Sequence, residues 1–443
     1  MKERLDFSEF SPSTRDQWMR VLTKELGERP YDFLKWSPLE GLLLEPYYTH
    51  YNSIFNAVST PEKDVMIAES FLLSRLDSSE PILRSLEQGV NHLTVVLDDN
   101  KDFRQITEGV FFEYIHTTLQ LEEKNLHEGL KIVEQFIFAN SSILRDYSFS
   151  VRIPLSSLQD VSLIRSLSSV LKSSKNKFKP FVIDTSNLGH FGMDVALQVS
   201  TALSAGRRTL DILIEEEKFT VDDALAAIGF HFATSTGYFQ EMSKYIVFRT
   251  LWSTIAQSYD PEHTCSQHTQ ITTVSSLFTY SSIDAYNNML RATSQCMSAY
   301  LGQADSIEVL GYDRIDQNSE QGKRWARNIL HLLVEESHFK ESRNAAEGAF
   351  FINQLNCELA EVAWSKFKEV EVQENSSFLM GILSLIKFQN DLQKQKYNRT
   401  EKSLVGVNKF PNKMEVLKNT PSNEFSFRAA FDMENKYVEE GRS

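Results

Sequence analysis

From Val65 onward, short apolar runs rich in Val, Ile, Phe and Thr alternate with longer segments whose apolar positions recur at helical spacing. The runs at 65–72, 92–97, 112–117, 149–154, 181–185, 228–233, 271–277 and 306–310 read as strands of the kind buried on both faces. Helical periodicity fills the intervals, for example at 80–88, 158–171, 194–205 and 238–256. A strand followed by a helix, repeated eight times, is the arithmetic of a (β/α)8 TIM barrel, so the chain is assigned to the α/β class. A doubly wound open sheet also alternates but has fewer strands.

The flanks differ from this middle. Residues 1–50 read as an N-terminal arm. Ser13 and Thr14 cap a helix that Gly27 and Pro30 stop, and an aromatic, turn-rich stretch with Trp36, Tyr47 and Tyr48 follows. Such an arm either packs on its own domain or wraps a partner subunit. Residues 51–320 form the barrel. Residues 321–443 form a C-terminal helical extension, with helices over 323–336, 357–370 and 378–395 and a polar tail from 421.

The formal net charge of -14 argues against nonspecific nucleic-acid binding and against anionic membranes. No apolar run approaches membrane-spanning length, and the first residues carry no secretion signal. Three cysteines, odd in number and far apart, indicate a reducing compartment. A cytoplasmic location is expected.

Familiar chemical signatures are missing: there is no G-x-G-x-x-G, no G-x-x-x-x-G-K-[ST] and no G-x-S-x-G. His263, Cys265 and His268 are the one dense group of soft ligands, but without a paired C-x-x-C they do not complete a zinc set. His231 lies on a buried strand and reads as a core histidine. Asp184 closes the fifth strand, where barrel enzymes keep working residues, as a mouth residue or a helix cap. Glu241 and Lys244, three apart on a helix, either pair with each other or aim the lysine into the barrel mouth.

Residues 284–306, D-A-Y-N-N-M-L-R-A-T-S-Q-C-M-S-A-Y-L-G-Q-A-D-S, resemble a motif of the methylmalonyl-CoA mutase family through Asp284, Tyr286, Asn287, Asn288, Arg291, Thr293, Met297, Gly302 and Ser306. Four more segments agree in order: S-P-L-E-G-L-L-L-E-P-Y-Y-T (37–49), Y-F-Q-E-M-S-K-Y-I-V-F-R-T-L-W (238–252), A-R-N-I-L-H-L-L-V-E-E-S (326–337) and L-V-G-V-N-K-F (404–410). The resemblance implies a cobalamin-dependent isomerase that rearranges the carbon skeleton of an acyl-CoA. In that family a TIM barrel is threaded by the CoA arm, and a separate domain holds the cofactor. Some members pair a catalytic large chain with a non-catalytic small one.

Departures from the pattern point to the small kind. No D-x-H-x-x-G is present, Asn187 stands where catalytic chains carry a histidine, and the P-F-x-R-G and W-x-x-R-Q-Y segments have no counterpart. Before D-A-Y-N-N, the family's H-x-Q aligns ungapped so that Thr272 replaces the histidine, or with a four-residue shift so that His268 and Gln270 match; both alignments stay open. Lys244 matches a family lysine. No catalytic residue and no metal ligand is therefore expected, and Asn187, Lys244 and Gln270 are the candidate residues of a degenerate substrate pocket. The resemblance further implies a heterodimer with a large catalytic subunit that carries adenosylcobalamin, none being bound by this chain. The alternative is the substrate-binding chain of a split acyl-CoA mutase completed by a separate cobalamin domain. Asn287 and Asn288 are expected to cap the helix that follows the seventh strand.

Overall fold

The computed structural model describes residues 13–39, 41–48, 64–144, 148–174, 178–263, 269–372, 375–399 and 401–411, together with positions 9, 11 and 266. Eight parallel strands close a barrel: β3 (Met66–Leu72), β4 (His92–Leu97), β5 (His116–Leu121), β6 (Phe149–Pro154), β7 (Lys179–Asp184), β8 (Ile228–Thr234), β9 (Ile271–Ser275) and β10 (Ser306–Glu308). They pair in chain order, and β10 pairs with both β9 and β3 to complete the ring. Every strand is covered on both faces, which is why their sequences carry few exposed positions. Along β4, Leu93, Val95 and Leu97 are buried in the main apolar core, while His92 turns inward to bond side chains of other strands.

Seven of the eight strands fall where the periodicity places them, within two residues at either end. The third is displaced. The apolar stretch at 112–117 opens with a 3-10 turn, Phe112–Tyr114, and the strand is H-T-T-L-Q-L at His116–Leu121. Phe112 packs edge-on against Phe136 at 4.8 Å, outside the barrel, while His116 and Thr118 bond other strands within it. A strand with a polar inner face looks less strand-like than the apolar turn before it.

Helices surround the ring. α2 (Glu80–Glu87), α3 (Phe103–Ile106), α4 (Leu126–Asn140), α5 (Val161–Ser173), α6 (Ser186–His190), α7 (Val195–Glu215), α8 (Val221–Ala227), α9 (Tyr238–Tyr259), α10 (Asn287–Leu301) and α11 (Glu320–His331) lie between or after the strands. α11 is fastened to the first barrel strand by a buried ion pair, Arg327 Nη1 to Glu69 Oε2 at 2.5 Å. Ser85 of α2 also donates to Glu69. The second βα unit is unusual, because its only α-helix, α3, is a single turn.

The flanking segments fold onto this body. Before the barrel, α1 (Arg15–Leu26) starts at a capping box between Thr14 and Gln17 and stops at Gly27, whose φ of +60° suits glycine. α1 buries none of its residues. The hairpin of β1 (Trp36–Leu39) and β2 (Leu42–Leu44) does pack on its own chain: Leu42 and Leu44 are buried, and Gly41 lies against Val362. Val362 belongs to α12 (Phe350–Glu371), which covers α7 and α9. α13 (Asn375–Asn398) and the segment 401–411 then cross toward the C-terminal ends of the strands. The polar tail expected from 421 lies outside the described residues.

Candidate functional site

The barrel interior is polar where a packed barrel core is usually branched and apolar. Near its N-terminal end, the His92 Nδ1 lies 2.5 Å from Ser306 Oγ, and its Nε2 lies 2.8 Å from Thr118 Oγ1. Thr118 Oγ1 meets Ser150 Oγ at 2.7 Å, and Ser150 meets His116 Nε2 at 3.1 Å. The two imidazoles stand edge to face at 4.5 Å. Gln270, just before the seventh strand, reaches across to within 3.5 Å of His116 on the third. These strands stand opposite each other in an eight-strand ring, so side chains span the axis.

One layer higher, Arg152 is 4% exposed and gives Nη1 to Gln120 Oε1 at 3.1 Å, while its buried Nε has no partner among the described residues. Burial lowers its pKa, and the carboxylates of Asp184 and Glu308 oppose that shift. Glu308 is held by Ser70, through its amide at 3.0 Å and its hydroxyl at 2.5 Å. His231 bonds Thr272 Oγ1 at 2.8 Å. Burial, reinforced by neighbouring positive or imidazole groups, holds both His92 and His231 well below the usual histidine range. They are neutral hydrogen-bonding members of the interior, as the core reading of His231 expects.

At the C-terminal mouth, Asp184 Oδ1 accepts the amide of Ser186 at 2.9 Å and its hydroxyl at 2.6 Å, so it caps α6 while closing β7. Asn187 is the second residue of α6, half-buried, and its carbonyl accepts the amide of Phe191 at 2.9 Å. His190 ends that helix and accepts the Leu277 amide on Nδ1 at 3.2 Å. Burial, helped by the Arg314 charge, lowers its pKa to about 4. α6 lies so close to β8 that a Cβ on Gly189 would stand 2.9 Å from the Ala233 Cβ.

Lys244 is fully buried. Its ammonium donates to Glu241 Oε2 at 2.5 Å, the Ala233 carbonyl at 2.6 Å and Gln198 Oε1 at 3.1 Å, which uses all three donors. The bond to the Ala233 carbonyl anchors α9 to the end of β8, while the pair with Glu241 lies within α9. Asn187 and Lys244 thus share one end of the barrel around Ala233, and Gln270 sits at the other. Of the His263, Cys265 and His268 group, His263 bonds Asp222 at 2.6 Å, and the other two lie outside the described residues.

The D-A-Y-N-N motif acts as a clamp. No side chain caps α10, contrary to expectation. Asn288 Oδ1 instead accepts the Ser281 amide at 3.1 Å and Arg291 Nη1 at 2.7 Å. Its Nδ2 donates to the carbonyls of Ser281 and Tyr312, both at 2.8 Å. Arg291 Nη2 then holds the Val405 carbonyl at 2.6 Å. Gly406, at φ +82°, is pressed so near that a Cβ would stand 2.5 Å from Asn287 Nδ2. L-V-G-V-N-K-F is therefore a strap that D-A-Y-N-N-M-L-R holds at the mouth, where Leu404 and Tyr397 pack with Phe191 and Phe278.

The inward-facing residues missed by sequence reasoning, His92, His116, Arg152 and Glu308, carried a usable signal. Each shares alternate positions of its strand with other inward residues, and the positions between are apolar except for Thr117.

The sequence model of methylmalonyl-CoA mutase matches residues 135–433. The methylmalonyl-CoA mutase small subunit of Porphyromonas gingivalis is 25% identical over 94% of this chain and 72% of its own length. The probable methylmalonyl-CoA mutase small subunit of Mycobacterium tuberculosis is 23% identical over 93% of this chain and 73% of its own length. The similarity to the methylmalonyl-CoA mutase large subunit of Streptomyces virginiae, at 25% identity, covers only 35% of this chain and 22% of that one. The chain belongs to the methylmalonyl-CoA mutase family.

Proposed function

We propose that this protein is a non-catalytic structural partner of a cobalamin-dependent acyl-CoA mutase, a cytoplasmic small subunit that joins a large catalytic chain as a heterodimer. The observation that carries this reading is the crossed barrel axis. The family resemblance implies a CoA arm running along that axis, and here His116 and Gln270 approach each other across it within a buried hydrogen-bonded layer. Lys244 supports the same reading, since its ammonium is saturated by protein acceptors and has no donor left for an anionic ligand. Several long-matching relatives are named as small subunits of methylmalonyl-CoA mutase, which supports it.

The residues at the mouth do not fit a cobalt ligand. His190 spends Nδ1 on the Leu277 amide in an enclosed position, and the strap at 404–410 is clamped over neighbouring loops. The proposal assigns adenosylcobalamin to the large chain and no step of chemistry to the residues of this one. The arm supplies a surface for the partner: α1 buries nothing, and Phe33, Trp36, Leu43 and Tyr47 are exposed.

Co-expression with the cognate large chain tests the proposal. A stable one-to-one complex is expected, with mutase turnover from the complex and none from this chain alone. A chain that ignores the large subunit overturns it. Turnover on adding only a separate cobalamin-binding domain favours the split-enzyme alternative.

A further inference from the structure

We infer that Arg152 is the anchor of a binding site for a small carboxylate inside the barrel. Arg152 lies on β6 between Gln120 of β5 and Val182 of β7. It is buried, and of the donors on its guanidinium only one, on Nη1, is used, by Gln120 Oε1. Gln120 is itself oriented by Glu122, whose Oε1 accepts its Nε2 at 3.2 Å, so the amide turns its oxygen to the arginine. The Nε is buried with no partner among the described residues. Nη2, on the same edge as Nε, bonds nothing among them either. Side by side, Nε and Nη2 make the fork that grips both oxygens of a carboxylate.

A buried charge is normally paired, because leaving it alone out of water is costly. Asp184 and Glu308 act on Arg152 through their charge, yet neither forms an ion pair with it. Both are committed elsewhere: Glu308 accepts the amide and hydroxyl of Ser70, and Asp184 accepts those of Ser186. The interior is not a dry core. Thr94 Oγ1, two residues along β4 from the inward His92, and Gln270 Oε1 are also buried without a partner among the described residues. Shape and charge choose the guest. A planar monoanion meets the fork edge-on, whereas a phosphate brings a second charge against Asp184 and Glu308. The layer of His92, His116 and Gln270 closes the N-terminal side, so the guest enters from the mouth, where Arg314 adds a second cation beside His190. So enclosed a site takes a formate- or acetate-sized carboxylate, or hydrogencarbonate, which presents the same pair of oxygens.

The test uses the full chain alone, titrated at fixed ionic strength with sodium formate, acetate or hydrogencarbonate and followed by its melting temperature. A saturable rise is expected with at least one of the three, and none with chloride at equal concentration. Saturation by formate or acetate assigns an organic acid, saturation by hydrogencarbonate alone assigns that ion, and both support the site. Arg152→Lys keeps the charge but removes the fork, and should raise the dissociation constant by about tenfold or more. Should that variant fail to fold, wild-type crystals soaked in the same salt decide the matter. A carboxylate on the Nε–Nη2 edge supports the site, and one bound only elsewhere overturns it. No saturable rise with any of the three salts overturns the inference, as do an equal rise with chloride and an affinity unchanged by Arg152→Lys. The outcome is separate from the heterodimer and from the crossed axis, since neither CoA nor acetyl-CoA carries a carboxylate. A response to those would strike the crossed axis and leave this site standing.

Discussion

His190 makes the fold acid-sensitive in a way that can be isolated. Its folded pKa, about 4, lies below the ordinary value of 6.5, so between those values the unfolded chain binds a proton that the folded chain refuses. Stability from this residue is intact above pH 6.5 and is lost as pH falls toward 4. The whole shift corresponds to roughly 3 kcal/mol, and by pH 5 about 2 kcal/mol of it is already gone. Asparagine offers an amide oxygen that can accept the Leu277 amide but takes no proton, so His190→Asn is the informative substitution. Urea unfolding at pH 7 and pH 5 gives each protein's loss of stability on acidification. The wild type should lose about 2 kcal/mol more than His190→Asn. Equal losses would refute the enclosure of the imidazole, whatever the absolute stabilities. His92 and His231 have the same sign and steepen the acid limb in both proteins.

Lys244→Met leaves the Glu241 carboxylate buried and unpaired, and should cost about 3–5 kcal/mol in chemical denaturation, whereas pairing it with Glu241→Gln should recover much of that. A mouth lysine poised for ligand would instead tolerate truncation with little loss of stability. Arg291→Ala frees the Val405 carbonyl and should expose the 401–411 strap to limited proteolysis while the barrel stays folded, with a global loss of about 2 kcal/mol. Proteolysis unchanged from wild type contradicts the clamp.

The fold was legible because burial on both faces leaves parallel strands apolar, and the interval helices kept their period. The third strand was not, since His116, Thr118 and Gln120 point polar side chains inward and the neighbouring Phe112 imitates a strand start. Glu241 and Lys244 were legible as a pair by their spacing, but spacing alone does not report that both are buried or that the Ala233 carbonyl completes the ammonium. The role of Asn288 was hidden for a different reason. Its partners, Ser281 and Tyr312, belong to the loops before α10 and after β10, and Arg291 reaches Val405 more than a hundred positions away. Contacts of that range depend on closure of the barrel, which no local pattern encodes.

The most direct measurement is the melting temperature of the isolated chain in the presence of CoA and of a short-chain acyl-CoA. A ligand that binds only the folded state raises it by mass action, by about 2.7 kcal/mol of stability at a hundredfold excess over the dissociation constant. With the axis crossed by His116 and Gln270, no shift is expected at any accessible concentration. A saturable rise, lost on blocking the axis further with Ser150→Phe, contradicts the crossed axis on which the proposal rests.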